Sequence, residues 1–165
     1  MATQLHRSFA FSKLETVHEK TCTTRNISDL RIVGVSCMMG GWNFFDFTTG
    51  RGENDIHRWL NGQQVTKAAK AKINARIIAL QGFPSFPEQY ISAYNGWPGL
   101  LELRIVSNNV QYRPFGFYGP GRGQFSLLVG GVEKGKIPRS LLEVANDRRK
   151  IVIAGPNRVI PHDFS

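Results

Sequence analysis

The sequence predicts an α+β fold, in which an N-terminal strand and a helical hairpin pack on a small antiparallel sheet that precedes a C-terminal helix. Two apolar stripes with helical spacing lie between residues 54 and 82. Three segments between residues 101 and 132 alternate apolar and polar side chains, as half-buried strands do. A last helical pattern begins after Pro138. The predicted order of elements is therefore β-α-α-β-β-β-α.

The first three elements follow from aromatic content and from capping residues. The aromatic residues of 42–47 suit a pleated, half-buried strand. Asn54 is a good N-cap for a short helix and Thr66 for a second, longer one. The second helix presents one apolar stripe, formed by Ala69, Ile73, Ile77 and Leu80. A short connection between the two helices predicts a helical hairpin.

The later elements are separated by turn residues. The segment Gly82–Gly99 is rich in Pro, Gly and aromatic residues and is long for a simple connection, which is typical of functional loops. Ser107-Asn108-Asn109 and Gly119–Gly123 predict turns between strands. Pro114 lacks an N–H donor, so its strand is expected to be an edge strand or to carry a bulge there. The last helix is expected to end at Lys150.

Positive charge is concentrated in the last third of the chain. The 165 residues carry a formal net charge of +9. Residues 103–165 hold ten Lys and Arg against four Asp and Glu, a net +6. Charge that is placed in this way indicates an anionic partner, with nucleic acid as the first expectation.

Several classes of protein and site are disfavoured by the same sequence. The four histidines and two cysteines lack the spacing of metal ligands, so we expect no metal site. A dinucleotide fingerprint and a phosphate-binding loop are missing, so no cofactor is expected. The longest apolar runs are too short to span a bilayer, and two cysteines cannot frame a disulfide scaffold. We therefore expect a cytoplasmic protein without a membrane partner.

The chain divides into three parts by pattern. Residues 41–150 are predicted to form the domain, and residues 151–165 a C-terminal tail. Residues 1–40 mix Ser, Thr and charge without a clear period. They are either a weakly ordered extension with a possible extra strand at 30–37, or an over-extended reading frame whose natural start is Met38 or Met39. N-terminal mass spectrometry of the natively expressed protein would decide between these alternatives.

Basic and aromatic residues on consecutive strands are the main functional signal. If Leu101, Leu103 and Ile105 face the core, alternation places Glu102 and Arg104 on the opposite face. One interpretation is an ordinary solvated sheet face with a charged turn. The other is a metal-free groove that cleaves RNA, in which a base deprotonates the ribose 2′-hydroxyl and basic side chains stabilise the phosphate.

A resemblance to a known family favours the second interpretation. The residues that carry it are Gly99–Arg104, Val110–Arg113, Phe125–Leu128, Glu133–Pro138, and Ala145 with Arg148 and Arg149. These Leu-Arg, Tyr-Arg and Lys-x-x-x-Pro elements occur in this order behind a helical hairpin. Residues 41–150 therefore resemble the phage-derived members of the RelE/HigB toxins of type II toxin–antitoxin systems, which belong to the RelE/ParE superfamily. The resemblance covers about two-thirds of the chain.

The resemblance implies an mRNA endoribonuclease that acts in the ribosomal decoding site and is neutralised by a cognate antitoxin, expected to be a small helix-turn-helix protein. By position, Arg104 and Arg113 would bind phosphate, Tyr112 would stack on a base or transfer a proton, and Lys134 would be an electrostatic partner. His162 is a candidate for the general acid, although a solvated histidine on the tail is the simpler interpretation. Further RNA-binding residues would be Lys136, Arg122, Arg148 and Arg149.

The sequence is compatible with two other functions. The first is a non-catalytic binder on the same scaffold, either a topoisomerase poison of the ParE type or an inactive prophage remnant, and the absence of a clear acid–base pair favours it. The second is a phage structural or regulatory protein without toxin activity. An adjacent short frame that encodes a helix-turn-helix protein would favour the toxin.

Overall fold

The computed structural model describes residues 41–133 and 135–165. Lys134 and residues 1–40, with the predicted extension and its alternative start sites, lie outside the described residues. The strands are β1 (Asn43–Phe47), β2 (Ile91–Ala93), β3 (Leu101–Leu103), β4 (Ile105–Ser107), β5 (Val110–Tyr118), β6 (Gln124–Glu133) and β7 (Val159–Pro161). The helices are α1 (Asp55–Leu60), α2 (Lys67–Gln81) and α3 (Arg139–Ala154), and a 3-10 turn spans Pro156–Arg158.

The seven strands form one mixed sheet in the order β2-β3-β5-β6-β1-β7, with β4 beside β5. The α+β class is confirmed, but the purely antiparallel sheet is wrong, because β1 pairs with β6 in parallel. The other pairs of named strands in the described chain are antiparallel. The parallel pair joins strands about 80 residues apart, which no local sequence pattern specifies.

Helices cover both faces of the sheet. Side chains of α1 and α2 pack with one set of strand residues, which includes Leu103, Tyr112 and Phe125. Side chains of α3 pack with the other set, which includes Phe115 and Val129. The central strands β5 and β6 are therefore apolar on both sides, as expected for a sheet between two helical layers.

The predicted helix starts are confirmed in detail. The side chain of Asn54 accepts from His57 N at 2.8 Å, and that of Thr66 accepts from Ala69 N at 3.2 Å. These bonds satisfy N–H groups that a helix cannot pair internally. The predicted stripe of α2 is buried throughout, at Ala69, Ile73, Ile77 and Leu80. α3 continues to Ala154, four residues beyond the predicted end, because Val152 is fully buried on the same side of the helix as Ala145.

Pro114 lies in an interior strand, and the structure adapts around it. β5 has β3 and β4 on one side and β6 on the other, so the predicted edge position is wrong. The alternative, a bulge, is present one residue later, where the pairing register shifts between Phe115 and Gly116. The neighbouring edge is also interrupted, since Arg104 separates β3 from β4 and donates its N–H to Tyr90 O at 2.9 Å.

The predicted C-terminal tail is part of the sheet. β7 pairs with β1, with Ile160 opposite Asp46. The short run 159–161 was missed because three residues are too few to show strand alternation. β2 was missed within the segment Gly82–Gly99 for the same reason. β7 covers the edge that β1 would otherwise present to solvent.

Candidate functional site

A buried carboxylate joins the two arginines that were predicted to bind phosphate. Glu102 is 1% exposed. Arg104 Nε donates to Glu102 Oε1 at 2.8 Å, and Arg104 Nη2 lies 2.7 Å from the same oxygen, so this ion pair is supported by a charge-assisted hydrogen bond. Arg113 Nη1 donates to the other oxygen, Glu102 Oε2, at 2.8 Å. Both arginines are thus held at one point on the α3 face of the sheet.

A second carboxylate completes this group, which we call the Glu102 cluster (Glu102, Arg104, Arg113 and Glu133). Arg113 Nη2 lies 2.5 Å from Glu133 Oε2 and donates to Gln111 Oε1 at 2.8 Å. The side chain of Arg113 is 18% exposed and that of Glu133 is 21% exposed, whereas that of Arg104 is 49% exposed. Solvent therefore reaches the cluster chiefly at Arg104, and Glu102 lies beneath it.

Strand alternation and the end of α3 together determine where the Glu102 cluster lies. Glu102 follows Leu101, and Arg113 follows Tyr112, so both charged residues face away from the α1–α2 layer. Gly131 is the register partner of Arg113, and a Cβ there would lie 3.2 Å from Leu141 in the first turn of α3. Glu133 lies two residues farther along β6. The cluster therefore begins where the cover provided by α3 ends.

Tyr112 is not part of the Glu102 cluster. Its side chain points to the α1–α2 layer and the residue is 2% exposed, within the core. The expectation that it stacks on an RNA base or transfers a proton conflicts with this burial. The motif Tyr-Arg places its two side chains on opposite faces of the strand, and the arginine is the one that reaches the cluster.

Lys136 and Arg122 lie beyond opposite ends of β6. Lys134 is outside the described residues. Lys136 is exposed on the turn between β6 and α3, next to Gly135, whose φ of +143° suits glycine. Arg122 is exposed on the turn between β5 and β6, at the opposite end of those strands from Glu133.

Arg148 was predicted to bind RNA, but its guanidinium is committed to the protein. Nη1 donates to Leu128 O at 2.7 Å, and Nη2 donates to Asp55 Oδ2. The ion lies over the Phe47 ring at 4.8 Å. The β1–β6 pairing ends at Leu127, so Arg148 occupies the position where β6 loses its neighbour. It links α3 to α1 around the end of β1.

Arg149 lies elsewhere on α3. It lines a cavity of about 300 Å³ with Gly99, Phe117, Pro120 and Ile153. Its Nη2 donates weakly to Asn146 Oδ1 at 3.4 Å, within the same helix. Its environment is therefore separate from the Glu102 cluster.

His162 belongs to a second buried polar group, which sequence reasoning did not find. The residue is 7% exposed, and Nδ1 lies 2.7 Å from Oδ1 of Asp46, which is fully buried. Asn54, the cap of α1, donates to Asp46 Oδ2 at 2.9 Å. His162 Nε2 lies 3.5 Å from Asn74 Oδ1, and Asn74 donates to Phe164 O at 3.1 Å.

This group holds the C-terminus and is closed to substrate. A solvated tail histidine is wrong, because the ring is sandwiched between β1, α2 and its own terminal residues. Next to it, Asp163 accepts from Ser165 N, and this bond lowers the pKa of the Asp163 carboxyl. Asp46 is a charged residue within an otherwise aromatic strand, and a buried charge requires a polar partner. This was the one sequence signal that could have indicated the His162–Asp46 pair.

Within residues 41–133 and 135–165, no three His, Cys, Asp or Glu side chains are grouped as metal ligands. None of the helices in that part of the chain has the length and apolar content needed to cross a membrane. No protein-family model, no curated protein and no solved structure matches this chain.

Proposed function

We propose that this protein is a RelE/HigB-like toxin, a metal-independent mRNA endoribonuclease that acts on the ribosome and is neutralised by a cognate antitoxin. The observation that carries the proposal is the Glu102 cluster. Arg104 and Arg113, the arginines of the Leu-Arg and Tyr-Arg elements, converge on one buried carboxylate at the open end of the sheet. Lys136 is exposed on the turn that follows β6.

The chemistry requires a base, a phosphate ligand and an acid. Glu133 is the carboxylate of the cluster that reaches solvent, and it accepts the proton of the ribose 2′-hydroxyl. The 2′-oxygen–phosphorus bond then forms as the bond from phosphorus to the 5′-oxygen breaks. Arg104, half exposed, stabilises the charge on the phosphate. Lys136 supplies the proton for the departing 5′-oxygen.

Glu102 and Arg113 act as positioning residues in this scheme. Glu102 is too deeply buried to touch RNA, but its two oxygens orient both guanidinium groups. Arg113 in turn orients Glu133 through the 2.5 Å contact. Such support keeps an active group in a fixed geometry before substrate arrives, which is where electrostatic catalysis gains most.

The test is inducible expression of the full chain with mapping of transcript 5′ ends. The wild type should stop growth and yield cleaved mRNA, whereas Arg104→Ala and Glu133→Gln should restore growth and intact transcripts. Arg51→Ala removes an exposed arginine from the loop after β1 and should remain toxic. Intact transcripts with the wild type would refute the endonuclease. Full toxicity of both cluster variants would refute the site.

A non-catalytic binder is the second candidate, and one observation favours it. The two arginines of the cluster are matched by two carboxylates, so the four side chains are neutral as a group. Such a network can serve stability alone. A DNA-damage response without mRNA cleavage, on expression of the wild type, would select a topoisomerase poison. Normal growth would select an inactive remnant.

A further inference from the structure

Helix α2 carries four basic residues and no acidic residue in its fifteen positions. The basic residues are Lys67, Lys70, Lys72 and Arg76. The helical period of 3.6 residues divides them between the two sides of the buried stripe. Lys67 and Lys70 lie on one flank, where Lys70 Nζ donates to Asn61 Oδ1 at 2.7 Å. Lys72 and Arg76 lie on the other.

The Lys72–Arg76 flank runs along the outer edge of the sheet. Lys72 Nζ donates to Val106 O in β4 at 3.4 Å. The guanidinium carbon of Arg76 lies 3.6 Å from the centre of the Tyr90 ring, which is a close cation–π contact. Tyr90 O accepts from Arg104 N at 2.9 Å. Tyr90 therefore connects Arg76 to the Glu102 cluster, and Lys72 extends the row along β4.

The charges of Lys72 and Arg76 are not neutralised within the described part of the chain. Neither side chain is within 4.0 Å of a carboxylate there, whereas Arg104 and Arg113 are paired. Arg76 Nη1 is also buried and has no hydrogen-bond partner among the described residues. The positive charge of this flank is therefore not compensated by the described residues, and it attracts an anion that approaches the exposed Lys72 and the accessible part of Arg76.

We propose that this edge, from Arg104 over Tyr90 to Arg76 and Lys72, binds the single-stranded RNA that flanks the nucleotide in the Glu102 cluster. The inference rests on the proposed function and adds the path of the substrate. Proteins that bind single strands combine a row of cations with aromatic side chains, and this edge offers both. RNA is favoured over an acidic polypeptide because the row continues directly into Arg104, the arginine proposed to stabilise the phosphate.

The test compares two double variants of the full chain that each remove two positive charges from α2. Lys72→Ala with Arg76→Gln changes the proposed edge, and Lys67→Ala with Lys70→Gln changes the opposite flank. The probe is a fluorescent twelve-nucleotide RNA with 2′-O-methyl groups, which lacks the attacking hydroxyl. Its anisotropy gives Kd over a range of salt concentrations, and poly-glutamate serves as the acidic polypeptide competitor.

The edge variant should show a slope of log K against log salt that is smaller by about 1.4, since each phosphate contact in a single strand contributes about 0.7. With equal affinities at 1 M salt, this corresponds to about 25-fold weaker binding at 0.1 M. The opposite-flank variant should bind as the wild type does. If the edge variant unfolds at a lower urea concentration, Lys72→Ala alone should still reduce the slope by about 0.7.

The other outcomes overturn the inference. Equal weakening by both double variants would indicate general charge attraction, and no weakening by the edge variant would place RNA elsewhere. Displacement of the RNA by poly-glutamate at matched charge concentration, with the wild type, would assign the edge to an acidic polypeptide. In each of these cases, the mapping of mRNA cleavage in cells still tests the proposed function independently. If the wild type did not bind the RNA probe, the proposed RNA path along this edge would be refuted. The result on mRNA cleavage in cells would be unaffected.

Discussion

Glu102 shows how one residue determines the geometry of a whole site. A carboxylate that is 1% exposed must be fully paired, and here each oxygen is claimed by a different arginine. Because Arg104 remains half exposed, solvent screens its ion pair with Glu102 more strongly than it screens the ion pair between Arg113 and Glu102. Replacing the buried Glu102 and replacing the half-exposed Arg104 should therefore have very different effects on the free energy of unfolding.

Glu102→Gln should lower the free energy of unfolding by about 2–4 kcal/mol, because it leaves Arg113 partly buried beside an uncharged amide. Arg104→Gln should lower it by at most about 1 kcal/mol, since solvent screens the exposed partner. Urea unfolding of both variants measures the two values. Similar losses for the two substitutions would show that the carboxylate is not the centre of the network.

At the scale of elements, two adjacent arginines of α3 have different roles. Arg148 satisfies a carbonyl of β6 and the carboxylate of Asp55, and so connects three elements. Arg149 faces a cavity and makes one weak bond within its own helix. The sequence Arg-Arg is the same local pattern at both positions, so the difference arises from where α3 lies on the sheet.

Arg148→Met should lower the free energy of unfolding by about 2–3 kcal/mol, because it removes two charge-assisted contacts and leaves partly buried acceptors without donors. Arg149→Met provides the matched control and should change it by less than about 1 kcal/mol. Thermal or urea unfolding measures both. An equal effect of the two substitutions would contradict the role of Arg148 as a link between α3 and α1.

At the scale of the whole molecule, the last residues close the fold. β7 covers the free edge of β1, and His162 pairs with Asp46 across 116 residues of sequence. Both side chains of the pair are almost completely buried, at 1% and 0% exposure. The C-terminus is thus held by a polar contact inside the core, and this contact depends on both partners.

His162→Leu should lower the free energy of unfolding by about 3–5 kcal/mol, because Asp46 then remains buried without its partner. The double variant Asp46→Leu with His162→Leu should be more stable than His162→Leu alone, since no charge is left in the core. His57→Leu, at a half-exposed histidine, is the control. Urea unfolding with limited proteolysis near the C-terminus measures each. A double variant less stable than the single one would refute the pair.

Much of the local structure could be predicted because its causes are local. Asn54 and Thr66 cap helices by bonds to residues three positions away. The Asn108–Asn109 turn requires two positive φ angles, 51° and 59°, which asparagine tolerates. Alternation also placed Glu102 and Arg104 opposite the core. The candidate site could be predicted as far as its two arginines, because their strands are neighbours in sequence.

The sequence by itself determined where α1 and α2 begin, the turns, and the face on which Glu102 and Arg104 lie, since these depend on contacts within a few residues. The tertiary structure decided the parallel β1–β6 pair, the commitment of Arg148, the burial of Tyr112 and the His162–Asp46 contact. Each of these features joins segments that are distant in the chain, and its stabilising free energy comes from the burial of those segments against each other. Such burial exists only after the layers have assembled.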